Sequence, residues 1–208
     1  MSKQKWIFWD IGSTLVNEQA AYDHRAREML KDTGITFEEF DKLRLNLAWA
    51  GLEGNSAAIS RLKLQKTPWP QDKELLYPAA NSVLAELSER GFRMGIIANQ
   101  TSGLEARLKN WGLLPYFEVI ASSAEAGKSK PDPAIFSLVM DQAGCKPEEA
   151  IMVGDRLVHD IHPATHLGMQ SIWVRQGMAA FIPMEYGKEA TWIVNSIEEI
   201  PNVLKETE

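Results

Sequence analysis

The chain has 208 residues, 45% of them hydrophobic and 24% charged, with a formal net charge of −6. That balance suits a soluble globular fold with room for a small insert, and the acidic surplus argues against a nucleic-acid protein, which carries a basic face. No stretch approaches the roughly 20 apolar residues of a membrane span, the basic start at residues 1–5 leads into an apolar run too short for a signal peptide, and a single cysteine, Cys145, precludes an internal disulfide and fits a reducing compartment. The expectation is a cytoplasmic protein, monomeric or homodimeric, with no nucleic-acid or membrane partner. Cys145 reads as a small, partly buried side chain rather than a reactive thiol.

The apolar run 6–9 predicts a first strand, and it ends in Asp10. From about Val16 to Tyr77 the pattern turns helical, with segments at 21–30, 37–47 and 57–64 and a connection at 66–71. Thr36 followed by Glu39 has the spacing of a capping box. A further helix begins near Ala79, and Gly91 ends it. Strand 93–98, helix 104–111, strand 117–121 and helix 133–143 follow, the last with Pro133 in its first turn. Strand 150–153, helix 162–167 stopped by Gly168, strands 171–174 and 192–194, and helix 196–204 complete the pass. Apolar strands alternating with helices predict an α/β fold, a Rossmann-like parallel sheet covered by helices on both faces. The small helical insert follows the first strand, where it can cover the strand tips.

Three strand ends carry the chemistry-bearing residues. Asp10 opens Asp10-Ile11-Gly12-Ser13-Thr14, Lys130 lies in Lys130-Pro131-Asp132-Pro133, and Asp155 and Asp160 follow the strand that ends at Gly154. In open α/β sheets, ligands bind at the C-terminal ends of the strands. A carboxylate that attacks phosphorus splits one hard step into two. Mg²⁺, which prefers oxygen ligands, offsets the repulsion between that carboxylate and a phosphate, and a lysine offsets charge on the phosphoryl oxygens. The set suits metal-assisted phosphoryl chemistry.

In these motifs the chain resembles the haloacid dehalogenase-like (HAD) hydrolase superfamily, subfamily I. Asp10-Ile11-Gly12-Ser13-Thr14-Leu15 matches the first motif, and Ile96-Ile97-Ala98-Asn99 stands where the second motif's strand ends. Lys130-Pro131-Asp132-Pro133 with Phe136 matches the third, and Gly154-Asp155 with Asp160 the fourth. The order spans nearly the whole chain. The resemblance implies a core domain of residues 1–16 and 78–208 and a C1-type helical cap of residues 17–77. It implies a phosphatase that acts on a small phosphorylated substrate through an aspartyl-phosphate on Asp10. Mg²⁺ would bind Asp10, the Gly12 carbonyl and Asp155, with Asp160 supporting the metal or holding Lys130. Thr14, Asn99, Thr101 and Lys130 would bind the phosphate, and Lys130 would also neutralise Asp10. Trp49, Arg61 and Lys63 are candidates for setting specificity from the cap.

The chain departs from the family pattern twice. Gly12 replaces the aspartate that protonates the leaving group and activates water, help worth about 10²–10⁴-fold. Such an enzyme favours good leaving groups and hydrolyses its phosphoenzyme slowly. Ala98 replaces a hydroxyl that hydrogen-bonds a phosphoryl oxygen, a deficit of about 1.5–3 kcal/mol, which Thr101, Ser102 or backbone N–H groups would make good. His159 stands where the family often has Asn, a neutral change. The losses at Gly12 and Ala98 motivate an alternative, a catalytically weak binding or regulatory protein. A 2-haloacid dehalogenase, which also lacks the second aspartate, is disfavoured by Asp155. Lys128 reads as a solvated neighbour of Lys130. His159, His162 and His166 share a helix spacing but read as structural, and the seven tryptophans read as packing.

Overall fold

The computed structural model describes residues 6–205, so the basic segment 1–5 lies outside it. In chain order the strands are β1 (Trp6–Trp9), β2 (Val16–Asn17), β3 (Leu75–Leu76), β4 (Arg93–Ala98), β5 (Val119–Ser122), β6 (Ala150–Gly154), β7 (Gln170–Val174) and β8 (Trp192–Val194). Six of them form one parallel sheet in the order β5-β4-β1-β6-β7-β8. The chain lays strands outward from β1 on one side, then crosses to β6 and builds the other. Strand order therefore reverses at β1, and such a switch point opens a crevice beyond the strand ends. Trp9, the last residue of β1, pairs with Ile96 of β4 and Val153 of β6, so β4 continues to Ala98 and β6 to Gly154 beyond it, and the three tips lie side by side.

Side-chain alternation along β1 separates two apolar layers. Ile7 and Trp9 pack with Met94, Ile96 and Ala98 of β4 beneath α4 (Ala80–Glu89), α5 (Leu104–Asn110) and α9 (Ile200–Lys205). Trp6 and Phe8 pack with Ile97 beneath α7 (Pro133–Ala143), which follows the single turn α6 (Ser123–Ala126) and whose Ile135, Phe136, Val139 and Met140 are buried there. The sheet is covered on both faces, as the continuous apolar strands require. Among the described residues no helix is long and apolar enough to cross a membrane.

Between β2 and β3 lie α1 (Gln19–Leu30), α2 (Phe37–Trp49) and α3 (Gly54–Arg61). They enclose an apolar cluster of their own, including Met29, Leu30, Phe40, Leu47 and Ile59. The capping box forms: Thr36 Oγ1 accepts from the Glu39 N–H at 3.2 Å, and Glu39 accepts from the Thr36 N–H at 2.8 Å. Arg44 of α2 is buried and donates to Asp23 of α1 (2.7 Å), to Asp41 (2.7 Å) and to Asn55 of α3 (3.1 Å), tying the three helices together. Antiparallel pairing of β2 with β3, Val16 to Leu76 and Asn17 to Leu75, joins the two connections to the rest of the molecule.

Three local readings are corrected. The third helix spans Gly54–Arg61 rather than 57–64, because Lys63 turns to φ 52° and the Leu64 N–H returns to the Ile59 carbonyl, closing the helix. The strand expected at 117–121 spans Val119–Ser122, since a tight turn over Leu114–Tyr116 takes up its start. The helix expected from His162 is preceded by a π-turn over Leu157–Ile161, with α8 (His162–His166) after it.

Candidate active site

Asp10 continues β1, its N–H donating to the Val153 carbonyl at 2.9 Å. Just beyond it the chain folds sharply. The N–H groups of Thr14, Leu15 and Val16 all return to the Ile11 carbonyl, and Ser13 sits at φ 57°. This knot seals Thr14 and Leu15 inside and leaves Asp10 at the floor of the crevice, only 6% exposed.

Lys130 reaches the same point from the turn before α7. The Asn99 side chain, just past β4, fixes that turn by a reciprocal pair: Asn99 Nδ2 donates to the Lys130 carbonyl and the Lys130 N–H donates to Asn99 Oδ1, both at 2.8 Å. Asp132 caps α7 through the Ala134 N–H at 2.9 Å. The buried Lys130 Nζ then donates to Asp10 Oδ1 at 2.6 Å and Asp160 Oδ1 at 2.5 Å. Burial pulls the ammonium pKa down, but the two carboxylates outweigh it and the net shift is upward, so Lys130 is charged.

Asp160 is fully buried, and its second oxygen accepts from the Arg156 N–H at 2.9 Å. The π-turn delivers it there, and inserted turns of this kind recur at functional sites. Gly154 makes room, since a Cβ at that position would collide with the Asp160 carboxyl. Both oxygens of Asp160 are thus committed to holding the lysine and the turn.

Asp155 differs. It is buried, and its Oδ1 has no hydrogen-bond partner. Burial first, then the charges of Asp10 and Asp160, push its carboxyl well above the usual carboxylate range. Asp10 is raised too, by burial and Asp160, against the opposing pull of Lys130. Oxygens of Asp10, Asp155 and Asp160 lie within 4.8 Å of one another. A buried carboxylate oxygen with no partner, beside a second acid, fits a hard divalent cation with oxygen ligands. Asp10 and Asp155 are the acids whose oxygens remain open to one.

A cavity of about 80 Å³ holds Asp10, Gly12, Lys130, Asp155 and Asn99 on its walls. It shares Ser13, Tyr22, Asn99, Asp155 and Arg156 with a larger cavity of about 420 Å³, which runs between the sheet's tips and the three-helix unit past Arg25, Asn55, Ser56 and Lys66. The structure therefore brings Asp10, Gly12, Asn99, Lys130, Asp155 and Asp160 together. Thr14 is buried nearby with its hydroxyl unpartnered. Thr101 is not with them: it is exposed, and its hydroxyl accepts from Gln71 (2.8 Å) and Arg107 (3.3 Å). Trp49, Arg61 and Lys63 are exposed and line neither cavity, and Trp49, 71% exposed, also departs from the packing expected of the tryptophans.

A model of haloacid dehalogenase-like hydrolases matches residues 7–174. The chain belongs to that family. It is similar to the glyceraldehyde 3-phosphate phosphatase of Pyrococcus furiosus, 31% identical over 99% of this chain and 95% of that one. The same-named protein of Methanothermobacter thermautotrophicus is 27% identical over 82% and 85%. A solved HAD phosphatase from Thermococcus onnurineus superposes with a TM-score of 0.66, covering 97% of this chain and 98% of that one at 23% identity, a likeness of fold.

In this HAD-like hydrolase two features of the site carried no sequence signal. The first is Glu18, at the entrance to α1. It is buried on the wall of the smaller cavity, and Ser13 Oγ donates to its Oε2 at a long 3.4 Å. Burial, then the charges of Asp10 and Glu74, push its carboxyl up to about 8. Only the knot after Asp10 brings it back to the strand tip, and no residue spacing announces that.

The second is Glu53, between α2 and α3. It pairs with Arg156, whose Nε donates to Oε1 at 2.9 Å, and His159 Nδ1 lies 2.6 Å from the same oxygen. This clasp fastens the three-helix unit to the loop that carries Asp155. Burial pushes the Glu53 carboxyl up, but the bonds from His159 and Arg156 win and hold it at about 2. A depressed carboxyl stabilises the fold above its unfolded pKa, 4.5, and loses that contribution as pH falls toward 2. The full shift corresponds to about 3 kcal/mol, reduced by solvent screening to about 1–2 kcal/mol. Urea unfolding should therefore find Glu53→Gln less stable than wild type at pH 6 and nearly level with it close to pH 2. A gap that persists unchanged into acid would mean the clasp is not ionic.

Proposed function

We propose that this HAD-like hydrolase is a Mg²⁺-dependent phosphohydrolase that acts on a small phosphorylated molecule through an aspartyl-phosphate at Asp10. The observation that carries the reading is the pairing of Asp10 with Lys130 beside the partnerless Asp155 oxygen, at the strand-tip switch point. Asp10 attacks phosphorus as the bond to the leaving oxygen breaks, and water then displaces Asp10 and releases phosphate. Lys130 offsets charge on both the carboxylate and the phosphoryl oxygens, and Asp160 is a positioning residue that keeps the ammonium between them. Asp10, the Gly12 carbonyl and Asp155 would hold Mg²⁺, which supplies charge neutralisation at the phosphoryl group.

Residues 17–77 act as the cap over a core of residues 1–16 and 78–208, with β2 and β3 at the hinge. The substrate's non-reacting part lies in the larger cavity, where Arg25, Lys66, Asn55 and Ser56 offer cationic and hydrogen-bonding groups. That wall suits a short phosphorylated polyol, sugar or hydroxy acid. The phosphatase names of the full-length relatives support the same class. Thr14 and Asn99 order the phosphate pocket, and Thr101, held by Gln71 and Arg107, plays no part in it.

The test is hydrolysis of p-nitrophenyl phosphate with and without Mg²⁺, by wild type and by Asp10→Asn. Its leaving group needs little protonation, so it is the least demanding substrate for a chain with Gly12. Metal-dependent turnover that disappears in Asp10→Asn is expected. Wild-type turnover no higher than that of Asp10→Asn would replace this reading with a phosphate-binding protein of HAD fold.

A further inference from the structure

The pattern of the first motif leaves this chain without an acid at position 12, yet the space such an acid would fill is occupied. A Cβ built on Gly12 would lie 2.6 Å from both carboxylate oxygens of Glu18 and 2.8 Å from its carboxyl carbon. The Glu18 carboxyl occupies the space where a side chain at position 12 would begin. A residue larger than glycine at 12 would have to push the Glu18 carboxyl out of its present position.

Glu18 is also poorly explained as a structural residue. Buried carboxylates are normally paired with a cation or held by several hydrogen bonds. Glu18 is buried, no salt bridge reaches it among the described residues, and its side-chain hydrogen bond is the long one from Ser13. Position and cost both point toward the reaction.

The other acids on the smaller cavity, and its histidine, already have roles. Asp10 is bound to Lys130, Asp155 presents the open oxygen suited to the cation, and His159 is held by Glu53. Glu18 is the acid on that wall left without a task.

Resting on the phosphohydrolase reading, we propose that Glu18 is the general acid and base of this site, a catalytic residue standing in for the one absent at position 12. As Asp10 bonds to phosphorus and the bond to the leaving oxygen breaks, the Glu18 carboxyl gives its proton to that oxygen, and the alcohol departs. The Glu18 carboxylate then takes a proton from the water whose oxygen attacks the aspartyl-phosphate. The bond between Asp10 and phosphorus breaks, phosphate leaves, and both acids return to their starting states.

The experiment compares wild type with Glu18→Gln, a near-isosteric change, on p-nitrophenyl phosphate and on glycerol phosphate, whose alkoxide leaves only with a proton. Glu18→Gln should lower kcat/KM for glycerol phosphate by about 10²–10⁴-fold and change that for p-nitrophenyl phosphate far less. Rapid mixing should then show a near-stoichiometric burst of p-nitrophenolate, because the phosphoenzyme forms and waits for an activated water. Gly12→Asp alone should be impaired by its collision with Glu18, whereas Gly12→Asp with Glu18→Ala should recover much of the glycerol phosphate turnover. Equal losses on both substrates without a burst, or glycerol phosphate turnover within threefold of wild type, would overturn the role of Glu18 while leaving the phosphohydrolase standing. Wild-type protein inactive on both substrates would overturn both readings together.

Discussion

Replacing Lys130 with methionine should lower the thermal unfolding midpoint by roughly 10 °C and remove nearly all turnover. Lys130 Nζ is the only cation within hydrogen-bonding reach of both Asp10 and Asp160 among the described residues, at 2.6 and 2.5 Å, and all three groups are buried. Methionine fills the volume of the stem but leaves two carboxylates facing each other without a counter-charge. Breaking a buried ion set by removing one partner costs about 3–5 kcal/mol, and each kcal/mol moves the midpoint of a chain this size by about 2–4 °C. Loss of a preorganised charge on the reacting phosphoryl group costs a further ~10²–10³-fold in rate. The double variant Lys130→Met with Asp160→Asn should be less destabilised than the sum of the single changes, since it removes the repulsion along with the attraction. Strict additivity, or a midpoint shift under about 2 °C, would mean that the lysine does not hold the acids together.

The layered fold was legible because burial on both faces demands continuous apolar strands. The runs at 6–9, 93–98 and 150–153 are long enough to stand out, and each is a central strand. β2 and β3 are two residues each and too short for any periodicity to register. The residues that lie just past central strands, Asp10, Asn99 and Asp155, could be found because a strand end is a recognisable place. Lys130 was found through its Lys-Pro-Asp-Pro turn.

What the sequence hid depends on backbone turns that bring distant or unmarked residues inward. Glu18 reaches the crevice through the knot of hydrogen bonds on the Ile11 carbonyl, and Glu53 through packing of the helical unit against the Asp155 loop. The exposed positions of Thr101, Arg61 and Lys63 have the same cause in reverse, because residue type nominated them and the course of the backbone placed them elsewhere. Gly12 reads in sequence as a deletion of function and in three dimensions as clearance for Glu18.

Asp155→Asn should move stability and activity in opposite directions. The site gathers three buried acids whose oxygens lie within 4.8 Å of one another, and Asp155 is the member whose Oδ1 no donor reaches. Its carboxyl is raised by burial and by its acidic neighbours, so near neutral pH the folded chain bears the cost of ionising it or of keeping its proton. Asparagine has the same shape without the charge. In chelator-treated buffer the variant should unfold about 1–2 kcal/mol later than wild type, the reverse of most buried substitutions, a rise of roughly 2–8 °C. Added Mg²⁺ reverses the ranking. A cation that binds only the native state stabilises it by about 2.7 kcal/mol at a hundred times its Kd, and the variant, with one anionic ligand fewer, should show little of that gain. Turnover should fall by at least ~10²-fold, for the same charge that strains the fold in chelator is needed to hold the cation against the phosphate. A variant less stable than wild type in chelator would identify Asp155 as an acid already satisfied by the fold, and the cation would then have to be sought at other oxygens.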